Sequence, residues 1–164
     1  MKKNYSLSVF AFVVFGCLSF YSYGTAMMDY FLLYPSRFFV GEREFVTYHK
    51  FLESAILPIS VFPFLFIILL NMVLLRFPPD QVPKWLLWTS LVCLVLDLIS
   101  TAFFQAPWNF ELSAGKNIEL MQKITDTNWG RVILESTQAI LVGIMFYRNA
   151  TPLYRSPVIK ADQQ

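Results

Sequence analysis

Apolar residues run along the chain in four blocks: Tyr5 to about Tyr34, Phe51 to Leu75, Trp85 to Phe104, and Asn128 to Tyr147. Each is near the roughly 20 residues that a helix needs to cross a hydrocarbon core of about 30 Å. Period-two alternation is absent, and lipid admits only helices and closed barrels, so the four blocks are predicted to be transmembrane helices. The expected fold class is therefore all-α, an integral membrane four-helix bundle over residues 1–150 with a disordered cytoplasmic tail over 151–164.

The polar segments between the blocks define three connections. Pro35 to Thr47 carries Arg37, Glu42, Arg43 and Glu44 and is expected outside. Arg76 to Lys84 holds three prolines, which stop the second helix and start the third on the inner side. Pro107 to Thr127 is expected outside. Within it, Asn117 to Thr125 sets Ile118, Leu120, Met121 and Ile124 among polar neighbours, the pattern of a short amphipathic helix on the membrane surface. Pro58 and Pro63 should bend the second span, which is tolerable where neighbours take up the freed carbonyls.

Composition sharpens this picture. Hydrophobic residues make up 56% of the chain and charged ones 15%, with a mean hydropathy of +0.51, so most of the surface must face lipid. Lys2, Lys3, Arg76, Lys84, Arg148, Arg155 and Lys160 would share one side, which places both termini in the cytoplasm of a multi-pass protein of the inner (plasma) membrane. The first apolar run continues past Cys17 to Leu33, longer than a signal-peptide core of about 7–15 residues, and reads as a retained helix. A net charge of +2 with no Lys/Arg cluster gives no footprint for nucleic acid. Cys17 and Cys93 lie in separate spans and form no C-x-x-C, so they read as inert thiols.

The charges inside the spans carry the candidate chemistry. Carboxylates at membrane depth are costly and usually face a bundle interior or a wet cavity. Glu53 and Glu135 each sit about two turns below their helix starts, roughly 10 Å, and Asp97 lies roughly 12 Å before the outer end of its helix. Each heads a polar stripe at helical spacing: His49 and Glu53; Cys93, Asp97, Thr101 and Gln105; Asn128, Arg131, Glu135 and Gln138. Facing one another, these stripes would line a cavity open to the outside, with Arg131 pairing with Glu135 and His49, near the interface, pairing with Glu53. Thr47–Ser54 also aligns without gaps to Trp129–Ser136, which sets His49 against Arg131 and Glu53 against Glu135. A parallel repeat of two helix hairpins about the membrane normal is one reading of that match.

Blander and sharper readings compete. Polar side chains can simply glue helices together, at about 0.6–2 kcal/mol each, and Asn71 fits that role. Three acids, an arginine and a histidine exceed what glue requires. His with carboxylates suits iron, manganese or zinc, but the chain offers His-x-x-x-Glu and a single histidine, so no metal or cofactor is specified. Ser54 and Ser136 lack a nucleophile elbow, and no glycine-rich phosphate loop occurs.

The stretch Leu112-x-x-Gly115 leading through Thr127-Asn128-Trp129-x-Arg131 into the last helix, with the chain length and four spans, resembles small bacterial membrane proteins of the anthrone-oxygenase-like kind. That resemblance implies a cofactor-independent oxygenase acting on a hydrophobic polycyclic substrate, with Asn128, Trp129 and Arg131 at the pocket rim. The expected function is accordingly an outer-leaflet polar pocket for a small, largely apolar molecule, in an oxygenase or other oxidoreductase. His49 or Glu53 would be the base there, Arg131 would hold an oxygen, Asp97 and Glu135 would orient them, and Gln105 would bind substrate. The alternative is a transporter-like or accessory subunit whose acids relay protons or bind a partner helix, as a homo-oligomer or beside another protein.

Overall fold

A computed structural model describes residues 2–155, with side chains over 7–151; the remaining expected tail, 156–164, and the side chains of Lys2 and Lys3 lie outside the described residues. Among those residues every element is helical. Four long helices, α1 (2–39), α2 (Glu42–Arg76), α3 (Lys84–Leu112) and α5 (Trp129–Arg155), pack as an antiparallel ring in which each touches the next and α5 closes on α1. A short helix, α4 (Ile118–Thr127), crosses the end where α1 and α3 finish.

Three of these helices, α1 from Leu7, α2 and α3, are long and apolar enough to cross a membrane. The fourth expected span, α5, matches them in length at 27 residues but is more polar. Its buried face carries Glu135 and Gln138, which lowers its mean apolarity while leaving Ile133, Ile140 and Tyr147 on the outer face.

The helices are longer than the apolar blocks. α1 runs to Phe39 and α2 begins at Glu42, so the expected external segment Pro35–Thr47 contracts to Val40 and Gly41. Gly41 takes an extended conformation at the N-cap of α2, and Glu42 and Glu44 lie in the first turn, where carboxylates meet the exposed N–H groups. Likewise α3 runs through Pro107 to Leu112 rather than ending at Phe104. The amphipathic segment appears as α4, capped by Asn117 Oδ1, which accepts from Leu120 N at 3.0 Å. It buries Leu120, Met121 and Ile124 against Tyr34, Phe45 and Leu112, while Ile118 faces outward.

How three helices continue through prolines shapes the site. In each, one wide π-turn ends two residues before a proline: Asp29–Leu33 before Pro35, Leu57–Val61 before Pro63, and Thr101–Gln105 before Pro107. The residue preceding each proline donates its N–H five residues back, Tyr34 to Asp29, Phe62 to Leu57 and Ala106 to Thr101. Proline lacks an N–H and its ring crowds the carbonyl four residues before it, so an extra residue in the turn relieves the clash without ending the helix. The bend expected at Pro58 and Pro63 takes this form. Ile59, whose carbonyl Pro63 cannot reach with a donor, accepts from Tyr21 Oη on α1 at 2.9 Å. Tyr21→Phe should therefore cost about 0.6–2 kcal/mol in a thermal unfolding assay in detergent. An unchanged midpoint would show that the bond is idle.

Two apolar clusters bracket a polar layer. The inner one, named for the bundle end at residues 76–84, joins Phe12, Phe15, Ile67, Leu74, Leu86 and Met145 from all four long helices. The outer one lies beneath α4. Between them sit the buried charges.

Candidate functional site

The centre of the polar layer is Arg131, on the first turn of α5. Its Nη1 donates to Asp29 Oδ2 on α1 at 3.2 Å, and its Nε lies 4.0 Å from Asp97 Oδ2 on α3. Glu135, one turn further along α5, accepts instead from Ser22 Oγ on α1 at 2.8 Å and lies beside Asp97. The expected Arg131–Glu135 pair within one helix is thus replaced by pairing across helices. Side chains lean toward the N-terminus of their helix, so Arg131 reaches up and across to Asp29 while Glu135 meets the turn of α1 beneath it.

Of the three acids expected in one layer, Asp97 and Glu135 are there and are almost fully buried. Glu53 is not. It accepts from Ser113 Oγ at 2.9 Å and lies 3.6 Å from His49 Nε2, with 29% of its side chain exposed. His49 belongs with it in an outer cluster, where Nε2 bonds the Asn109 carbonyl at 2.8 Å and the ring stacks on Phe45. His49 is buried among these partners, with 1% of its side chain exposed. Arg37 completes the outer cluster through Asn109 Oδ1 at 2.9 Å. The matched motifs Thr47–Ser54 and Trp129–Ser136 consequently place their charged residues in different clusters with different partners.

The remaining predicted residues divide. Gln105 is buried and its Nε2 donates to Thr127 Oγ1 at 3.1 Å. Asn128 is 1% exposed, and neither of its amide atoms has a protein partner. Trp129 turns outward, half exposed, against Tyr30, and contributes to the surface rather than to the cluster. Gln138 is buried with both amide atoms unpartnered, as is Ser19 Oγ, so polar groups continue inward below Glu135. Deeper still, Asn71 Nδ2 donates to Ser90 Oγ at 2.6 Å, as expected of a residue that ties helices together. Among the described residues no three of His, Cys, Asp and Glu gather in a way that could hold a metal ion.

The residue that the sequence reading missed is Asp29. It lies near the end of the first apolar block, on the one long helix for which no polar stripe was drawn. The signal was present: Ser19, Ser22, Ala26 and Asp29 follow the same three-and-four spacing that identified the stripes on the other helices, and all four are buried.

Two clefts lead to this cluster from the flanks of α2. One, of about 270 Å³, opens between α1 and α2 and is lined by Met28, Leu32, Leu52, Ala55 and Ile56, with Asp29 in its wall. The other, of about 90 Å³, lies between α2, α3 and α5, lined by Phe64, Leu65, Leu98 and Thr101, with Asp97 and Arg131 in its wall. Ile56 and Ser60, at the wide turn of α2, border both. The arrangement can hold an apolar body against α2 while presenting carboxyl and guanidinium groups to one polar end. Compared with known protein families, curated proteins and solved structures, the chain matches none.

Proposed function

We infer that this is a multi-pass membrane protein that binds a small, largely apolar molecule in the outer half of its bundle, with the polar end of the ligand at Asp29, Arg131 and Asp97. One observation carries the reading: two separate apolar clefts, on either side of α2, both end on the same Asp29–Arg131–Asp97 cluster. Small-molecule sites commonly join an apolar wall to a few convergent polar groups, in pockets of roughly 300–1,000 Å³. The larger cleft lies just under that range.

The oxygenase chemistry implied by the resemblance would use this pocket with altered roles. Arg131 would hold a ligand oxygen, and Asp29 or Asp97 would take up a proton, since His49 and Glu53 stand in the outer cluster. A non-enzymatic proton relay is the second reading. It is favoured by the buried groups that continue inward from Glu135, namely Gln138, Ser19 and the Asn71–Ser90 pair.

The pocket reading is tested with a small photoactivatable aryl diazirine added to the purified protein in neutral detergent. Adducts should concentrate on Leu52, Ala55 and Ile56 over equally apolar outward residues such as Leu96 and Ile140. Uniform labelling of the lipid-facing surface would sink it. The membrane topology is tested separately. With Cys17 and Cys93 replaced by serine, Gln81→Cys should react with an impermeant thiol reagent from the cytoplasmic side and Glu119→Cys from the opposite side. Labelling of both from one side would remove the multi-pass arrangement.

A further inference from the structure

The charges around the two clefts are unbalanced, and the imbalance names a ligand class. Three carboxyls, those of Asp29, Asp97 and Glu135, face a single guanidinium, that of Arg131. The outer cluster does not correct this, because it adds one arginine, Arg37, whose charge is felt by both Asp29 and Glu53, together with one more carboxyl, that of Glu53. His49 and Tyr34 add no permanent positive charge. A surplus of two negative charges therefore sits in a layer bracketed by apolar side chains, where uncompensated charge is strongly unfavourable unless it is neutralised by a proton or by an incoming cation.

A second observation, independent of the acid count, points to an occupant. Asp97 is only 3% exposed, yet its Oδ1 accepts from no donor, its carboxyl meeting the Glu135 carboxyl beside it, and the side chain lines the cleft between α2, α3 and α5. On the opposite flank, Asp29 forms the polar spot in a wall that is otherwise nearly all apolar. Each cleft thus pairs an apolar slot with a carboxylate at its end, on the side that the bundle turns toward lipid: Met28, Leu32, Ile59 and Leu98 on their rims are all exposed.

We propose that the ligand is a small lipophilic cation, an apolar or aromatic body bearing a quaternary or protonated ammonium group, which enters from the membrane beside α2 and sets its charge against the carboxylate of the cleft it occupies, Asp29 or Asp97. Its positive head supplies the counter-charge that the protein itself lacks, and its body fills the cleft. Each cation bound displaces a proton that otherwise neutralises one of the three carboxyls, so charge balances without any further reactant. The proposal rests on the pocket reading above and narrows it to one sign of charge.

The test compares three molecules of nearly the same shape on the full-length protein in neutral detergent: phenyltrimethylammonium, its uncharged isostere tert-butylbenzene, and the anion 4-tert-butylbenzoate. Equilibrium dialysis, corrected with protein-free micelles, should give a dissociation constant for the cation at least tenfold below that of either other compound. Asp29→Asn should weaken the cation about tenfold while leaving tert-butylbenzene unchanged. If Asp29→Asn does not fold, Asp97→Asn provides the same contrast. Equal binding of the cation and the neutral isostere would overturn the charge assignment and leave the pocket standing. Tighter binding of the anion would overturn it and assign the polar end to Arg131. Binding of none of the three would also overturn it, and the diazirine labelling would then decide the pocket separately.

Discussion

Replacing Arg131 with glutamine is expected to destabilise the folded protein by about 3–5 kcal/mol, the range found when one partner of a buried ion pair is removed. The reason lies in the company it keeps. Arg131 bonds Asp29 at 3.2 Å and approaches Asp97 to 4.0 Å, and among the described residues no other cation forms an ion pair with either. Without it, three buried carboxyls face one another with only Ser22 as a donor. Single replacements of the acids should behave differently. Asp29→Asn removes one charge from a layer with too many of that sign, so it should cost much less than Arg131→Gln, and the two together should recover part of the loss. Unfolding midpoints in one detergent would measure all three. An Asp29→Asn variant as damaged as Arg131→Gln would show that the pair, rather than the charge balance, holds the layer.

The second large effect is expected at Gly16, where α1 approaches α5. A Cβ on Gly16 would overlap the Phe146 ring, which is itself stacked on Phe12 with centroids 4.5 Å apart. The ring cannot retreat without breaking that stack, so Gly16→Ala should cost about 1–3 kcal/mol, the usual range for overpacking a filled core. Gly24, two turns along the same helix, has nothing within 4 Å of such a Cβ. Gly24→Ala should be neutral or stabilise by up to roughly 0.5–1 kcal/mol, because alanine loses less backbone freedom in a helix than glycine. Adding Phe146→Leu to Gly16→Ala should return some of the lost stability. If the two glycine variants behave alike, α1 and α5 do not approach as described.

How far the sequence could be read depends on which signals are periodic. The helical blocks, the amphipathic α4 and the inward stripes on α3 and α5 all follow from spacing, and the buried Asp97, Glu135 and Gln138 and the partly buried Arg131 came from it directly. Helix ends were misplaced because the helices outrun the apolar blocks, past Pro35 and Pro107. Pro35 and Pro107 are accommodated by one wide turn each, so α1 and α3 run on to Phe39 and Leu112. Partners across helices were not legible. Arg131 and Glu135 share a face at four residues' spacing, but side-chain lean sends one to Asp29 and the other to Ser22. Glu53 misled for a related reason: depth along a helix axis says nothing about rotation around it, and its face turns toward Ser113.

The three wide turns carry a consequence for helix phase. A residue added to an α-helix advances everything beyond it by about 100° around the axis. Each wide turn absorbs one such residue, so the helix keeps its course while the buried stripe continues beyond the turn one position out of step with the spacing before it. The dry inner core and the charged layer can therefore be addressed by different stripes of the same helices, with the joint at Asp29–Leu33, Leu57–Val61 and Thr101–Gln105. Removing one residue from any of these segments would close the wide turn to an α-turn, leaving the packing of Phe15, Ile67 and Leu94 and the azimuth of the outer portion in place. The cost would fall on the proline that follows, whose ring would then press on the carbonyl four residues before it.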